Sequence, residues 1–399
     1  MPDAVLVVNS GSSSIKLALF DIVSDGEPRL LCRGSLDEHD AEPRLTIKQT
    51  DGAILYDQHR KVADGHGEEL LLDALNWIDG YLASDDLVAV GHRVVHGGLA
   101  FAAPVRLTGS MVNELEKLTP MAPLHQPRCL SPIRAIMTER PELPQIACFD
   151  TAFHHSLPAS ATRFAIPREL HDTGIRRYGF HGLSFEFIAG RLQELSPSPD
   201  GKRCVVAHLG SGASLCAMRG GASIDTTMGF TPLDGLVMAT RCGAIDPGVL
   251  LYLQQERGMS ATDLENLLYR ESGLLGVSGL SGDMRALLAS KDPHASDAID
   301  LFVTSIARET AMMVNSLGGM ECLIFTGGIG EHAQEIRRRV CERMSWLGLT
   351  VDADANDAGS ACISTWDSSV EIRIIPTNEE LVIARYCVRN LADSISDPA

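Results

Sequence analysis

The stretch Ala4-Val5-Leu6-Val7-Val8-Asn9-Ser10-Gly11-Ser12-Ser13-Ser14-Ile15-Lys16-Leu17-Ala18-Leu19-Phe20 joins an apolar run to an alternating one through a polar Gly/Ser turn. Aliphatic runs bounded by turn formers predict two strands in a hairpin with an oversized turn. Roughly two hundred residues later, Cys204-Val205-Val206-Ala207, His208-Leu209-Gly210-Ser211-Gly212-Ala213-Ser214 and Leu215 onward repeat the plan. One duplicated unit is the simplest explanation.

Between and after the hairpins the pattern alternates. A helix is expected near residues 67–83, a strand at 87–95, and another at 145–149 that ends on Asp150. In 297–317, Ile299, Phe302, Val303, Ile306, Thr310, Ala311 and Val314 recur at helical spacing, and Gly318-Gly319 stops them. A strand at 321–325 runs into the turn Thr326-Gly327-Gly328-Ile329-Gly330, followed by a helix over 331–344. A last strand, 371–375, is broken by Pro376 and leads into a helix from about 378 to 391. Such alternation favours layered α/β domains. A chain of 399 residues exceeds what one core usually holds, so two or more domains are expected.

Composition narrows the function. A formal net charge of −18 disfavours nucleic acid and anionic membranes, which require broad basic surfaces. No apolar run is long enough to span a bilayer, and residues 1–20 lack the layout of a signal peptide. The ten cysteines have neither C-x-x-C pairs nor scaffold spacing, so they read as reduced thiols of a cytoplasmic protein.

Several residues have the chemistry of an anion site. The turn from Asn9 to Ser14, with Lys16 beyond it, gathers N–H groups, hydroxyls, an amide and a cation, as phosphate oxygens require. Arg93, in Gly91-His92-Arg93-Val94-Val95-His96-Gly97-Gly98, ends an apolar strand and needs an anion, either an acidic side chain or a ligand. Arg241, in Met238-Ala239-Thr240-Arg241-Cys242-Gly243, poses the same question. His125 and His181 lie in compact Gly/Pro or apolar contexts, and each is either a hydrogen-bonded core residue or a ligand contact. The pair His154-His155 lacks metal-ligand spacing. Asp150 starts a loop after its strand. Thr377 and Glu380 fit a capping box, which leaves Glu379 for Mg²⁺. Neither a Walker loop nor a dinucleotide fingerprint is present.

As an ordered set these segments, with Phe149-Asp150-Thr151-Ala152-Phe153-His154, residues 177–182, residues 225–233 and residues 376–381, resemble the acetate kinase (acetokinase) family. That family lies within the actin, sugar kinase and heat-shock ATPase superfamily. The resemblance runs nearly end to end. It implies duplicated RNase H-like (actin-like ATPase) domains, each a mixed β-sheet flanked by helices, with an active-site cleft between them. The first domain would be 1–150, completed by the C-terminal helix 381–399, and the second 151–380.

The same resemblance implies roles residue by residue. Arg93, Asp150, His181 and Arg241 are expected to be catalytic. Arg93, Val95, Leu124, His125, Phe180 and Pro232 are expected at the carboxylate substrate. Asn9, Ser12, Lys16, His208, Gly210, Ser211, Gly212, Asp283, Met284, Arg285, Gly328, Ile329 and Gly330 are expected at the nucleotide, with Asn9 and Glu379 near the metal. The implied cofactor is Mg²⁺, with Mn²⁺ as a substitute, and ATP or ADP is co-substrate. A homodimer is implied as well. Acetate is the expected acid, with propionate or butyrate kinase as the alternative in the same family. A nucleotide-driven structural or chaperone-like ATPase is the alternative outside it.

Overall fold

A computed structural model of the protein describes residues 3–11, 14–22, 27–37, 43–59, 68–82, 86–195 and 201–396. The chain divides into two compact units, Met1–Ala152 with Asn378–Ala399, and Phe153–Thr377.

In the first unit β1 (Asp3–Ser10) and β2 (Ser14–Ile22) pair antiparallel, in register from Asp3↔Ile22 to Ser10↔Ile15. β3 (Arg29–Asp37), β4 (Arg44–Gln49) and β5 (Ile54–His59) continue outward as an antiparallel meander. On the other side of β1 lie β6 (Leu87–Val94), β7 (Val105–Arg106) and β8 (Gln145–Phe149). The sheet order is β5-β4-β3-β2-β1-β6-β8-β7, with β1, β6 and β8 parallel. The second unit holds β9 (Arg203–Leu209), β10 (Ala213–Arg219), β11 (Ala222–Thr226), β12 (Cys322–Thr326) and β13 (Glu371–Ile374). Its order, β11-β10-β9-β12-β13, reproduces β3-β2-β1-β6-β8 in both sequence and strand direction. The repeat visible in two hairpins therefore extends to a five-strand topology.

Both faces of the first sheet are covered, as parallel central strands require. The helix Glu68–Leu82 places Leu70, Leu71, Ala74, Leu75 and Ile78 in one core with Leu6, Val8 and Leu17. The helix Glu379–Ser396 seats on β6 at Gly91, where any Cβ would collide with Ile383 and Cys387. That close approach is why the chain's last helix belongs to the first unit.

Three local expectations change. The glycine run after β12 is itself helical, Gly327–His332, and a break at Ala333 separates it from Gln334–Arg343. The long core helix starts earlier, at Pro293, because Asp292 caps it and proline suits a first helical position. The last helix is capped by Asn378, whose Oδ1 accepts from the Leu381 N–H at 3.1 Å. The Thr377–Glu380 box is not used, since the Thr377 N–H is directed to Glu331 and Glu380 accepts from Asn9 instead.

Two buried histidines make stability depend on pH. Burial pushes His92 down to about 4, against an interaction with the Gln145 side chain that works to raise it. Burial also pushes His154 down to about 4, with the Phe180 carbonyl opposing and Arg177 adding to the shift. Below pH ~6.5 the unfolded chain binds protons that the folded chain refuses, so stability is full above that pH and falls as pH drops toward 4. Urea unfolding at pH 5 is expected to give about 2 kcal/mol less stability per histidine than at pH 7.5. An unchanged unfolding free energy would contradict neutral burial.

Candidate active site

In parallel sheets, ligands gather at the carboxyl ends of the strands. Arg93 and Asp150 lie at that end of the adjacent strands β6 and β8. Arg93 Nε donates to Asp150 Oδ1 and Oδ2 at 3.0 and 3.1 Å, and Nη2 to Oδ2 at 2.6 Å. The anion that Arg93 required is thus a side chain, and the Asp150 carboxyl is 1% exposed. Arg93 Nη1 points to Asn9 Oδ1 and the Ser10 carbonyl, each at 3.5 Å. Burial alone would lower the guanidinium's pKa, but Asp150 and then Glu379 raise it, so the charge is secure.

Asn9, one residue before the end of β1, connects this pair to the last helix. Its Nδ2 donates to Glu379 Oε2 at 3.1 Å and to Glu380 Oε1 at 3.0 Å. Lys16 is the direct cross-strand partner of Asn9 and is exposed beside it. Ser12 lies outside the described residues. The segments carrying Val95 and His125 are held together by Gln126, whose side chain accepts from the His96 N–H and donates to the His96 carbonyl. Val95 and His125 are buried there, and Leu124 is half-buried. The first unit therefore gathers Asn9, Lys16, Arg93, Asp150 and Glu379, together with a small apolar group.

In the second unit the β9–β10 turn is the organising feature. The Gly210 N–H donates to the Gly212 carbonyl at 3.0 Å. A Cβ on Gly212 would lie 2.7 Å from Arg241 Nη2 and 3.2 Å from His181 Nε2, so three expected site residues converge at one point. Arg241 is buried, and its Nη1 donates to the Pro232 carbonyl at 2.6 Å. His181 is the one non-glycine with positive φ (57°) among the described residues. Such backbone costs about 1–3 kcal/mol and persists where its surroundings fix it. Its ring stacks on His208, with centroids 4.3 Å apart and planes 23° apart. Phe180, next in the chain, is buried, as is Pro232.

The remaining expected nucleotide segments flank the same turn. A Cβ on Gly327 would lie 2.8 Å from the Leu209 carbonyl, and one on Gly282 would lie 2.9 Å from the Ala239 carbonyl. The Ala239 N–H in turn donates to the Ser211 carbonyl. Asp283 caps the helix Met284–Ala289 and pairs with exposed Arg285, while Met284 is buried. Gly328 is exposed, Ile329 half-buried and Gly330 buried.

Sequence reasoning missed two arginines that hold the surrounding segments in place. Arg337 is fully buried and donates to the Gly330 and Glu331 carbonyls, while Asn356 accepts from it. Nothing in the run Arg337-Arg338-Arg339 singles out the first. Arg177 donates to the carbonyls of Thr226, Thr227 and Met228, which joins two of the quoted segments.

The profile of the acetokinase family matches residues 4–385. An acetate kinase of Rhodopseudomonas palustris is 53% identical over 398 residues, covering 98% of this chain and 99% of that one. Among solved structures, a propionate kinase from Francisella tularensis superposes with a TM-score of 0.88 at 35% identity, covering 96% of this chain and 98% of that one. The acetate kinase of Porphyromonas gingivalis gives 0.83 at 32% identity, covering 98% and 100%. These matches and the repeated five-strand topology establish duplicated actin-like ATPase domains. The chain belongs to the acetokinase family.

Proposed function

We propose that this protein is an ATP:acetate phosphotransferase that moves the γ-phosphoryl of ATP to acetate, reversibly, giving acetyl phosphate and ADP. The observation that carries the reading is the convergence of Arg241 Nη2 and His181 Nε2 on the Gly212 turn. Family membership over nearly the whole chain supports it.

The chemistry explains the choice of residues. Acetate, with a pKa near the carboxylate value of about 4, is ionised at neutral pH and attacks without a general base. The obstacle is repulsion between two anions, so the enzyme must supply positive charge and in-line alignment. Arg241 and Arg93 steady the carboxylate and the transferring phosphoryl. His181 donates to the equatorial oxygens as charge spreads. Asp150, locked to Arg93, orients that guanidinium rather than taking a proton from substrate.

Mg²⁺ keeps several waters and takes one or two carboxylates beside substrate phosphates. Glu379, with Glu380 alongside, would supply the carboxylates, and Asn9, whose Nδ2 donates to both, would hold them in place. Among the described residues no trio of His, Cys, Asp or Glu is grouped to hold a metal by itself, which suits an ion shared with the nucleotide. When bound, the ion would neutralise phosphate charge. A cytoplasmic location and a homodimer belong to the same proposal. Ten free thiols support the first, and the exposed Val249, Leu251 and Tyr252 on the helix Pro247–Gln255 support the second.

Propionate is the second reading, favoured by the solved propionate kinase at 35% identity. One methylene is worth only about 1–3 kcal/mol of discrimination. Trapping acyl phosphate with hydroxylamine, using acetate, propionate and butyrate in turn with Mg-ATP, tests both. The highest kcat/KM is expected with acetate, and a higher value with propionate would transfer the assignment to that acid.

A further inference from the structure

His181 Nδ1 is 2.8 Å from Ser214 Oγ, and His208 Nδ1 is 2.9 Å from Ser184 Oγ. Both serines are fully buried. Among the described residues, His181 Nδ1 is the hydrogen-bond partner of Ser214 Oγ, and no second partner accompanies it. If Ser214 accepted a proton from the ring, its own O–H would be buried without an acceptor, a loss its donating to Nδ1 avoids. A donated hydrogen bond at Nδ1 leaves the neutral ring's proton on Nε2.

A third histidine in the same unit provides an internal comparison. His154 Nε2 faces the Phe180 carbonyl at 3.1 Å, which only accepts, so the proton is on Nε2. Its Nδ1 then accepts from Ser223 Oγ at 2.8 Å. The seryl-imidazole arrangement at His181 matches one whose direction a backbone carbonyl fixes.

We propose that Ser214 is a positioning residue: its hydroxyl donates to His181 Nδ1 and so holds the neutral ring with its N–H at Nε2, the edge beside Gly212 and Arg241. His208, held the same way by Ser184, is the stacking platform. Two imidazolium rings 4.3 Å apart would repel, so the stack disfavours charging both rings together. The inference rests on His181 facing the phosphoryl in the reaction proposed above.

The test combines spectroscopy with kinetics. In long-range ¹H–¹⁵N spectra of ¹⁵N-histidine-labelled protein, with His181→Asn identifying the resonance, His181 is expected as the Nε2–H tautomer at pH 7.5. Ser214→Ala is expected to convert it to a tautomer mixture. It should lower kcat about tenfold or more while the KM values stay within about twofold, because alignment and not binding is lost. An Nδ1–H tautomer in the unaltered protein, or an unchanged kcat in Ser214→Ala, would overturn the proposal. His181→Asn separates the two readings. If it keeps full activity, the assigned role of His181 fails. If it is inactive while Ser214→Ala is unimpaired, only the positioning role fails.

Discussion

Arg241→Ala is expected to lower kcat/KM for acetyl phosphate formation by about 10³-fold or more, the scale seen when an arginine facing a transferring phosphoryl is removed. The guanidinium is buried, anchored through Nη1 on the Pro232 carbonyl, and brought by Nη2 to the Gly212 turn. Removing it leaves the Pro232 carbonyl without this donor, a loss of about 1–3 kcal/mol. Arg241→Lys should recover little, because a point charge cannot hold the carbonyl and an anion together. Steady-state kinetics with melting curves on both variants checks this. A fall confined to stability, with normal turnover of the folded fraction, would remove Arg241 from the site.

Arg93→Ala should behave differently. It leaves the Asp150 carboxylate buried without its guanidinium, and breaking such a pair costs about 3–5 kcal/mol. Turnover should fall as well, since Arg93 also extends toward Asn9 and the Ser10 carbonyl. Arg93→Met combined with Asp150→Asn separates the two effects. With no stranded charge, stability should return most of the way while activity stays low. Recovery of activity with stability would make the pair purely structural. Urea unfolding and initial rates on the single and double variants decide between these outcomes.

The fold was legible where the chain obeys simple periodicity. The central strands β1, β8, β9 and β12 each carry a buried apolar run next to turn residues, and the duplicated Gly/Ser turn linked two of them across the sequence. The outer strands β4 and β5 escaped notice because they are short and interleave few apolar residues with polar, exposed ones. The site was legible as a residue set more than as a network. That Arg93 is neutralised by Asp150, that Asn9 grips two glutamates, and that serines orient two stacked histidines are all long-range contacts. No local spacing encodes them. The misplaced cap has the same origin, since Glu380 suited a box by spacing but is claimed by Asn9 from 371 residues away.

The most direct test of carboxylate phosphorylation is ³¹P NMR of the protein with Mg-ATP and ¹⁸O-labelled acetate. The account predicts acetyl phosphate and ADP, with the phosphorus resonance carrying the isotope shift of an acetate-derived bridging oxygen. No acyl phosphate from acetate, or an acyl phosphate without the label, would contradict it.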